Sequence, residues 1–216
     1  MSRALVAEAL GTLLLVSAVI GSAIMASALT DDSGVQLLAN AIATGCALLT
    51  LITLFAPVSG AHFNPAVTLV MALRREIPLR TAAAYVAAQC AGGVAGTLLT
   101  HAMFDLPLLQ ASTHIRSGAP QFLAEVIATF GLILTILGGR HAANLPTLIA
   151  AYITAAYWFT ASTSFANPVM DLARALTDTP AGIRPADAPA FLLAQILGAA
   201  RAALLGGWLF QARARP

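Results

Sequence analysis

Ser59-Gly60-Ala61-His62-Phe63-Asn64-Pro65-Ala66-Val67-Thr68 is the stretch that decides the fold of this chain, and Thr163-Ser164-Phe165-Ala166-Asn167-Pro168-Val169-Met170-Asp171 repeats its pattern in the second half. Each is a short loop that ends in Asn-Pro and continues into apolar sequence. Asn is a favoured helix N-cap and Pro suits the first helical position, so each Asn-Pro predicts a helix start. Polar or charged residues return soon afterwards. Both helices are therefore predicted to be too short to span a bilayer alone, which takes about 20 apolar residues.

The composition is that of a membrane protein. The chain has 216 residues, of which 59% are hydrophobic and only 9% are charged. Long, weakly charged apolar runs indicate membrane spans. The net charge of +2 is too small and too dispersed to indicate a nucleic-acid partner. Cys46 and Cys90 lie inside apolar runs, which predicts small core residues rather than a disulfide framework or a metal site.

Six apolar segments separated by polar turns are predicted to be membrane spans. Their approximate bounds are 4–26, 35–57, 81–103, 121–137, 145–159 and 190–210. With the two half-helices they predict an all-α membrane protein that forms a single transmembrane domain over residues 1–216.

The two halves, about 1–105 and 119–216, carry the same three marks in the same order. These marks are a Glu in the first span, the Asn-Pro loop, and Ala-Gln-x-x-Gly in the last span, at Glu8 and Glu125, Asn64 and Asn167, and Ala88–Gly92 and Ala194–Gly198. Each half has an odd number of spans, so the second half is inverted relative to the first. Inverted repeats with interrupted helices place the functional site at the membrane midplane, between the repeats.

The distribution of arginine predicts the orientation. Basic residues concentrate in cytoplasmic loops. With both termini in the cytoplasm of an inner (plasma) membrane, most loop arginines fall on the inner side: Arg3, Arg74, Arg75, Arg80, Arg140, Arg213 and Arg215. Only Arg116 and Arg184 fall in outer loops.

In this topology the two half-helices enter from opposite faces and meet at their N-termini. Their positive dipole ends converge there. Irregular backbone at that depth must be buried in protein or line a wet cavity. Asn64 and Asn167 would offer side-chain N–H groups to a passing solute. Such a centre disfavours cations and accepts neutral hydrogen-bonding solutes, as in aquaporin-type pores.

With these features the chain resembles the aquaporin and glycerol-facilitator family over nearly its whole length. The first signature corresponds to Asn64, Pro65 and Ala66, and the second to Asn167, Pro168 and Val169. The resemblance implies a bundle of six transmembrane helices and two re-entrant half-helices, a pore within each subunit, and a homotetramer. It implies no cofactor and no metal.

The second motif departs from the family pattern, because Met170 stands where the family usually has the filter Arg. The family's spacing places the other filter positions at Thr44, Ala155 and Ser164. A filter of small and neutral residues implies passage of solutes larger than water. It resembles the bacterial branch that passes uncharged metalloid acids such as arsenite, and Asp171 resembles the glycerol-facilitator branch.

Several further residues have an expected role. The resemblance places His62 in the cytoplasmic vestibule. Glu8 and Glu125 are expected to accept hydrogen bonds from the loop of their own half, with a proton relay as the alternative.

Arg174 is expected to pair with Asp171 or Asp178 away from the pore, although it could also replace the missing filter Arg. Tyr157 and Trp158 are predicted interfacial anchors.

The sequence thus predicts a passive channel for water, glycerol-like polyols and uncharged metalloid acids, and not an enzyme. Three alternatives remain: a water-selective channel, a coupled secondary transporter of the same inverted-repeat design, and a non-conducting relative. A transporter would need a charged group at the midplane site. No catalytic motif for an enzyme is evident.

Overall fold

The computed structural model describes residues 2–210, which form eight helices. The six longer ones are α1 (Arg3–Leu29), α2 (Ser33–Ser59), α4 (Leu79–Met103), α5 (Ala119–Gly139), α6 (Leu145–Phe159) and α8 (Ala188–Leu209). The two short ones are α3 (Pro65–Leu73) and α7 (Pro168–Ala175), each beginning at the Pro of an Asn-Pro pair.

This architecture confirms the predicted fold class. Five helices are long and apolar enough to cross a membrane, and α6 is a shorter apolar helix of 15 residues. No strand occurs between residues 2 and 210. The predicted spans agree with the observed helices to within three residues at each end. Arg213 and Arg215, which contributed to the predicted orientation, lie outside the described residues.

Close backbone contacts join the long helices in two matching sets. Helix α1 packs against α4, and α5 packs against α8. A Cβ atom at Gly92 would lie 2.2 Å from the carbonyl oxygen of Ala9, and one at Gly198 would lie 2.3 Å from that of Val126. Only glycine permits these approaches, which is the role that small residues have between membrane helices.

The outer surface of the bundle is apolar, as expected of a surface that meets lipid. Large hydrophobic side chains such as Leu54, Leu204 and Trp208 are exposed. Cys46 is also exposed and Cys90 is half-buried, so the prediction of core cysteines was wrong for Cys46. An exposed face of a membrane helix is as apolar as a core, and residue type alone does not separate the two.

Candidate functional site: a central pore

The N-termini of the two half-helices meet at the centre of the bundle. Asn64 caps α3 by accepting a hydrogen bond from the backbone N–H of Ala66 (2.8 Å), and Asn167 caps α7 by accepting one from Val169 (3.1 Å). Each Asn also donates its side-chain amide to the opposite loop. Asn64 Nδ2 lies 2.8 Å from the Ala166 carbonyl, and Asn167 Nδ2 lies 2.9 Å from the Phe63 carbonyl. The two caps therefore also join the two loops.

The backbone of both loops is strained in the same way. Ala61 and Phe63 have φ of 50° and 48°, and Ser164 and Ala166 have 53° and 48°. In each loop, one of these residues lies three positions before the capping Asn and the other lies directly before it. The left-handed region costs a residue with a Cβ roughly 1–2 kcal/mol. Such strain persists only where surrounding contacts over-determine the conformation.

Two buried glutamates supply those contacts. Glu8 accepts hydrogen bonds from the backbone N–H groups of His62 (2.9 Å) and Phe63 (2.8 Å) and from the Ser59 hydroxyl (2.7 Å).

Glu125 does the same in the second half. It accepts from the N–H groups of Phe165 (2.9 Å) and Ala166 (2.8 Å) and from the Ser162 hydroxyl (2.6 Å). Each carboxylate thus bonds to the loop that follows in its own half.

A glutamine completes each cluster, and here the halves differ. Gln89 donates to Glu8 (2.7 Å) and to the Thr68 hydroxyl (2.9 Å). Gln195 donates to Glu125 (2.7 Å) and to the Asp171 carboxylate (3.1 Å). Thr68 and Asp171 hold equivalent positions, one turn after the capping Asn. The other oxygen of Asp171, Oδ2, is buried without a protein hydrogen-bond partner within residues 2–210.

A cavity of about 440 Å³ passes the meeting point of the half-helices. Its walls are mostly apolar side chains of α1, α2, α5 and α6. The residues important for its chemistry are Thr44, His62, Asn64, Glu76, Arg140, Tyr157, Ser164, Asn167, Met170 and Arg174.

Three of the four predicted filter residues, Thr44, Ser164 and Met170, line this cavity. The fourth, Ala155, does not, because it lies on the exposed side of α6. Ile153 and Tyr157 line the cavity from α6 instead.

The helical periodicity of α6 explains why Ala155 does not line the cavity. Leu145, Ile149, Ile153 and Tyr157 follow one another at intervals of four residues along α6 and share one helix face, as that spacing requires. Ala155 is out of phase with them. This periodicity was present in the sequence and could have identified the lining face.

The prediction of Tyr157 as an interfacial anchor was also wrong, since its side chain is only 3% exposed. Its hydroxyl lies 3.0 Å from Thr44 Oγ1, so α6 and α2 are joined by a polar pair in the cavity wall. Nearby, Ser164 Oγ is buried and has no protein partner within the described chain.

Charged residues surround the mouth of the cavity near the end of α3 and the end of α5. Glu76, just after α3, forms ion pairs with Arg74 (2.9 Å) and with Arg140 at the end of α5 (3.2 Å). His62 Nδ1 lies 3.1 Å from Thr68 Oγ1 and its ring contacts Tyr85 edge-on. The mouth is therefore polar, whereas the middle of the cavity is mostly apolar.

Arg174 is placed differently from the expectation. It forms no ion pair with Asp171, Asp178 or any other acid among the described residues. Its side chain is 3% exposed and lines the cavity one turn beyond Met170. Its guanidinium stacks on the Phe165 ring, 3.4 Å from the ring centre, and its Nε donates to the Ala181 carbonyl.

A second cavity of about 160 Å³ is lined by Arg116, Thr163 and Pro180 among others. We call it the outer cavity, because the predicted orientation places it on the outer side. Arg116 donates its Nε to the Gly182 carbonyl (2.8 Å). In the same loops, the backbone N–H and the hydroxyl of Thr113 both donate to Asp178 (2.8 Å each) and lower the pKa of that carboxyl group. These contacts connect the loop before α5 to the loop after α7.

The cavity combines apolar side chains with a few hydrogen-bonding groups, which suits the binding and passage of solutes. Within the described residues, Glu8, Glu125 and Asp171 do not line the cavity, and no cluster of His, Cys, Asp and Glu could hold a metal ion.

The comparisons with known proteins agree with this geometry. Residues 1–177 match the sequence model of the family described as "Major intrinsic protein". The chain is 57% identical over 218 residues to the aquaglyceroporin AqpS of Rhizobium meliloti (strain 1021), covering 100% of this chain and 93% of that protein. It is 38% identical over 141 residues to a probable TIP-type aquaporin of Antirrhinum majus, covering 62% and 56% of the two chains.

The fold is also that of a solved structure. The X-ray structure of the aquaglyceroporin from Plasmodium falciparum superposes with a TM-score of 0.75 at 22% identity, over 97% of this chain and 96% of that chain.

Proposed function

Because this chain belongs to the major intrinsic protein family, whose members are membrane channels, we propose that it is a passive channel for small uncharged solutes. Water and glycerol-like polyols are the first class of solute, and uncharged metalloid acids such as arsenite are the second. The name of the relative that is 57% identical, an aquaglyceroporin, supports the first class. No catalytic step or cofactor takes part in this function.

The observation that carries the proposal is the cavity that passes both capping asparagines. Each Asn amide uses one N–H on the opposite loop, so the other N–H remains for a solute. A solute exchanges part of its hydration for these donors and for the loop carbonyls. It then leaves again, since the apolar walls offer it little to bind.

Thr44, Tyr157, Ser164 and Met170 are the proposed filter. Three of them offer a hydroxyl group and the fourth is a neutral thioether, so they suit a solute that is part polar and part apolar. Polyols and the neutral hydroxides of metalloids have this character. His62 is proposed to line the cytoplasmic vestibule. The channel is proposed to be a homotetramer in the inner membrane with both termini in the cytoplasm.

Stopped-flow swelling of proteoliposomes tests the proposal. Wild type is compared with Met170→Arg for water, glycerol and arsenite permeability. We expect wild type to pass glycerol and arsenite, and Met170→Arg to suppress both while retaining water. Passage of water alone by wild type would contradict the solute class. Absence of any flux, from protein that is folded and tetrameric in detergent, would contradict the channel function.

A further inference from the structure

Arg174 is the side chain that separates the two cavities. It lines the central cavity and the outer cavity, and within residues 2–210 no other residue lines both. This guanidinium therefore lies between the outer cavity and the cavity that reaches the capping asparagines. Helix α7 begins at the midplane, so Arg174 lies one turn, about 5.4 Å, further out than Met170.

The guanidinium is held rigidly by two contacts. The Phe165 ring stacks against it at 3.4 Å, and Nε donates to the Ala181 carbonyl. A cation on an aromatic face is attracted electrostatically, and the planar guanidinium suits such stacking better than an ammonium does. The orientation of the group is fixed before a solute arrives.

The outer end of the same guanidinium remains available. Its terminal nitrogens Nη1 and Nη2 donate to no protein group among the described residues, and no carboxylate lies within ion-pair distance. A buried cation without a counter-ion raises the electrostatic potential around it strongly, because the local dielectric constant is low. Its unused N–H groups can donate to the hydroxyl oxygens of a solute.

Arg116 provides the contrast. It lines only the outer cavity, and its guanidinium donates to the carbonyls of Gly182, Ser162 (3.4 Å) and Pro180 (3.4 Å). It also lies further from the Phe165 ring, at 5.2 Å from its centre. Arg116 therefore fastens loops together, whereas Arg174 keeps donors free at the boundary between the cavities.

We propose that Arg174 is the filter arginine of this channel, displaced one helical turn outward from the position that Met170 occupies. It excludes cations and protons by its charge, and it orients uncharged hydroxylated solutes by its free N–H groups. This inference rests on the proposed channel function. It also revises the expectation of a filter without arginine, since the cation has moved along α7 instead of being lost.

The test uses full-length protein in proteoliposomes with two readouts. Water and glycerol permeability come from stopped-flow swelling, and proton leak comes from a trapped pH dye under an imposed potential. Arg174→Gln removes the charge at the boundary between the cavities, and Arg116→Gln removes the same charge from the outer cavity alone.

We expect Arg174→Gln to retain water flux and to raise proton leak at least about tenfold, because one desolvated charge is lost from the path. Arg116→Gln is expected to leave the leak per channel within about twofold of wild type.

A conservative variant keeps the proposal falsifiable if Arg174→Gln does not fold. Arg174→Lys retains the charge but loses the planar fork of donors. We expect it to keep proton leak low and to change the ratio of glycerol to water permeability by about threefold or more.

The proposal would be overturned if Arg174→Lys left the ratio of glycerol to water permeability unchanged. It would also be overturned if Arg174→Gln conducted water with the same proton leak as wild type. Wild-type glycerol flux in the same preparations shows that the channel function itself stands. Its absence would instead count against the proposed function.

Discussion

Replacing Glu8 by Gln tests how the pore loops are held at depth. The carboxylate accepts four hydrogen bonds, from Ser59 Oγ, the N–H groups of His62 and Phe63, and Gln89 Nε2. A glutamine at this position has one oxygen and one NH₂ group, so two of the four donors face another donor. Gln89 can rotate its amide and present Oε1, which is buried without a partner. The backbone N–H of Phe63 cannot adapt in this way.

The expected loss of stability follows from the number of hydrogen bonds that Glu8→Gln breaks or weakens. One buried backbone N–H loses its acceptor, which costs about 1–3 kcal/mol. The two donors that stay bonded now face a neutral oxygen and lose about 1 kcal/mol between them, because bonds to charged groups are the stronger ones. The loss of stability is therefore about 2–4 kcal/mol. For a chain of this size that lowers the apparent melting temperature by about 5–15 °C.

Thermal melting of the purified protein in detergent, together with glycerol flux in proteoliposomes, measures the effect. Ser59→Ala is the matched control, because it removes a single donor from the same cluster. Glu76→Gln removes a carboxylate at the solvent-accessible mouth and should melt close to wild type. If Glu8→Gln melts within 2 °C of wild type and only its pH dependence of flux changes, Glu8 serves a proton relay and the structural explanation is refuted.

Two further predictions concern the packing of glycines between helices and the face of α6 that lines the cavity. Gly92→Ala and Gly198→Ala should each destabilise the protein by about 2–4 kcal/mol, because the new Cβ would meet a backbone carbonyl at 2.2 and 2.3 Å. Detergent melting measures this, and Gly207→Ala, whose Cβ has 3.6 Å of clearance, should behave as wild type. Ile153→Trp should reduce glycerol permeability at least about tenfold by narrowing the cavity, and Ala155→Trp should leave it unchanged because that side chain faces outward. Equal effects of the two Trp variants would contradict the assignment of the lining face.

The fold could be predicted because its determinants are local. Five of the six longer helices are apolar runs of membrane length, and α6 is a shorter apolar run. Each half-helix begins at an Asn-Pro pair whose capping chemistry is visible in the sequence. The repeated order of Glu, Asn-Pro and Ala-Gln identified the two halves of the inverted repeat. Glu8 and Glu125 each contact the loop of their own half, as expected from that order.

The pore wall was harder to predict. It depends on how α6 is rotated about its own axis and on the length of the loop between α6 and Asn167. Ala155 was placed by counting back from Asn167 with the family's spacing, but the face of α6 is set by its own helical phase. Tyr157 therefore lines the pore. Arg174 was expected to pair with a nearby acid, since helical spacing favours Asp171 and Asp178. Stacking on Phe165 and the bond to Ala181 depend on tertiary contacts that the linear sequence does not contain.

The exchange of amides between the two loops has a consequence for how the chain is made. Asn64 bonds to a carbonyl that is synthesised 102 residues later, and Phe63 receives its partner only with Asn167. At about 5–20 residues per second, the first loop waits roughly 5–20 s for its acceptor and donor to emerge. Polar backbone without partners is costly in a bilayer, so the first loop can settle at its final depth only after the second has entered. The centre of the pore is thus completed only after the second loop has entered, and a chain cut short before Ala166 would keep an unfinished loop that quality-control proteases can recognise.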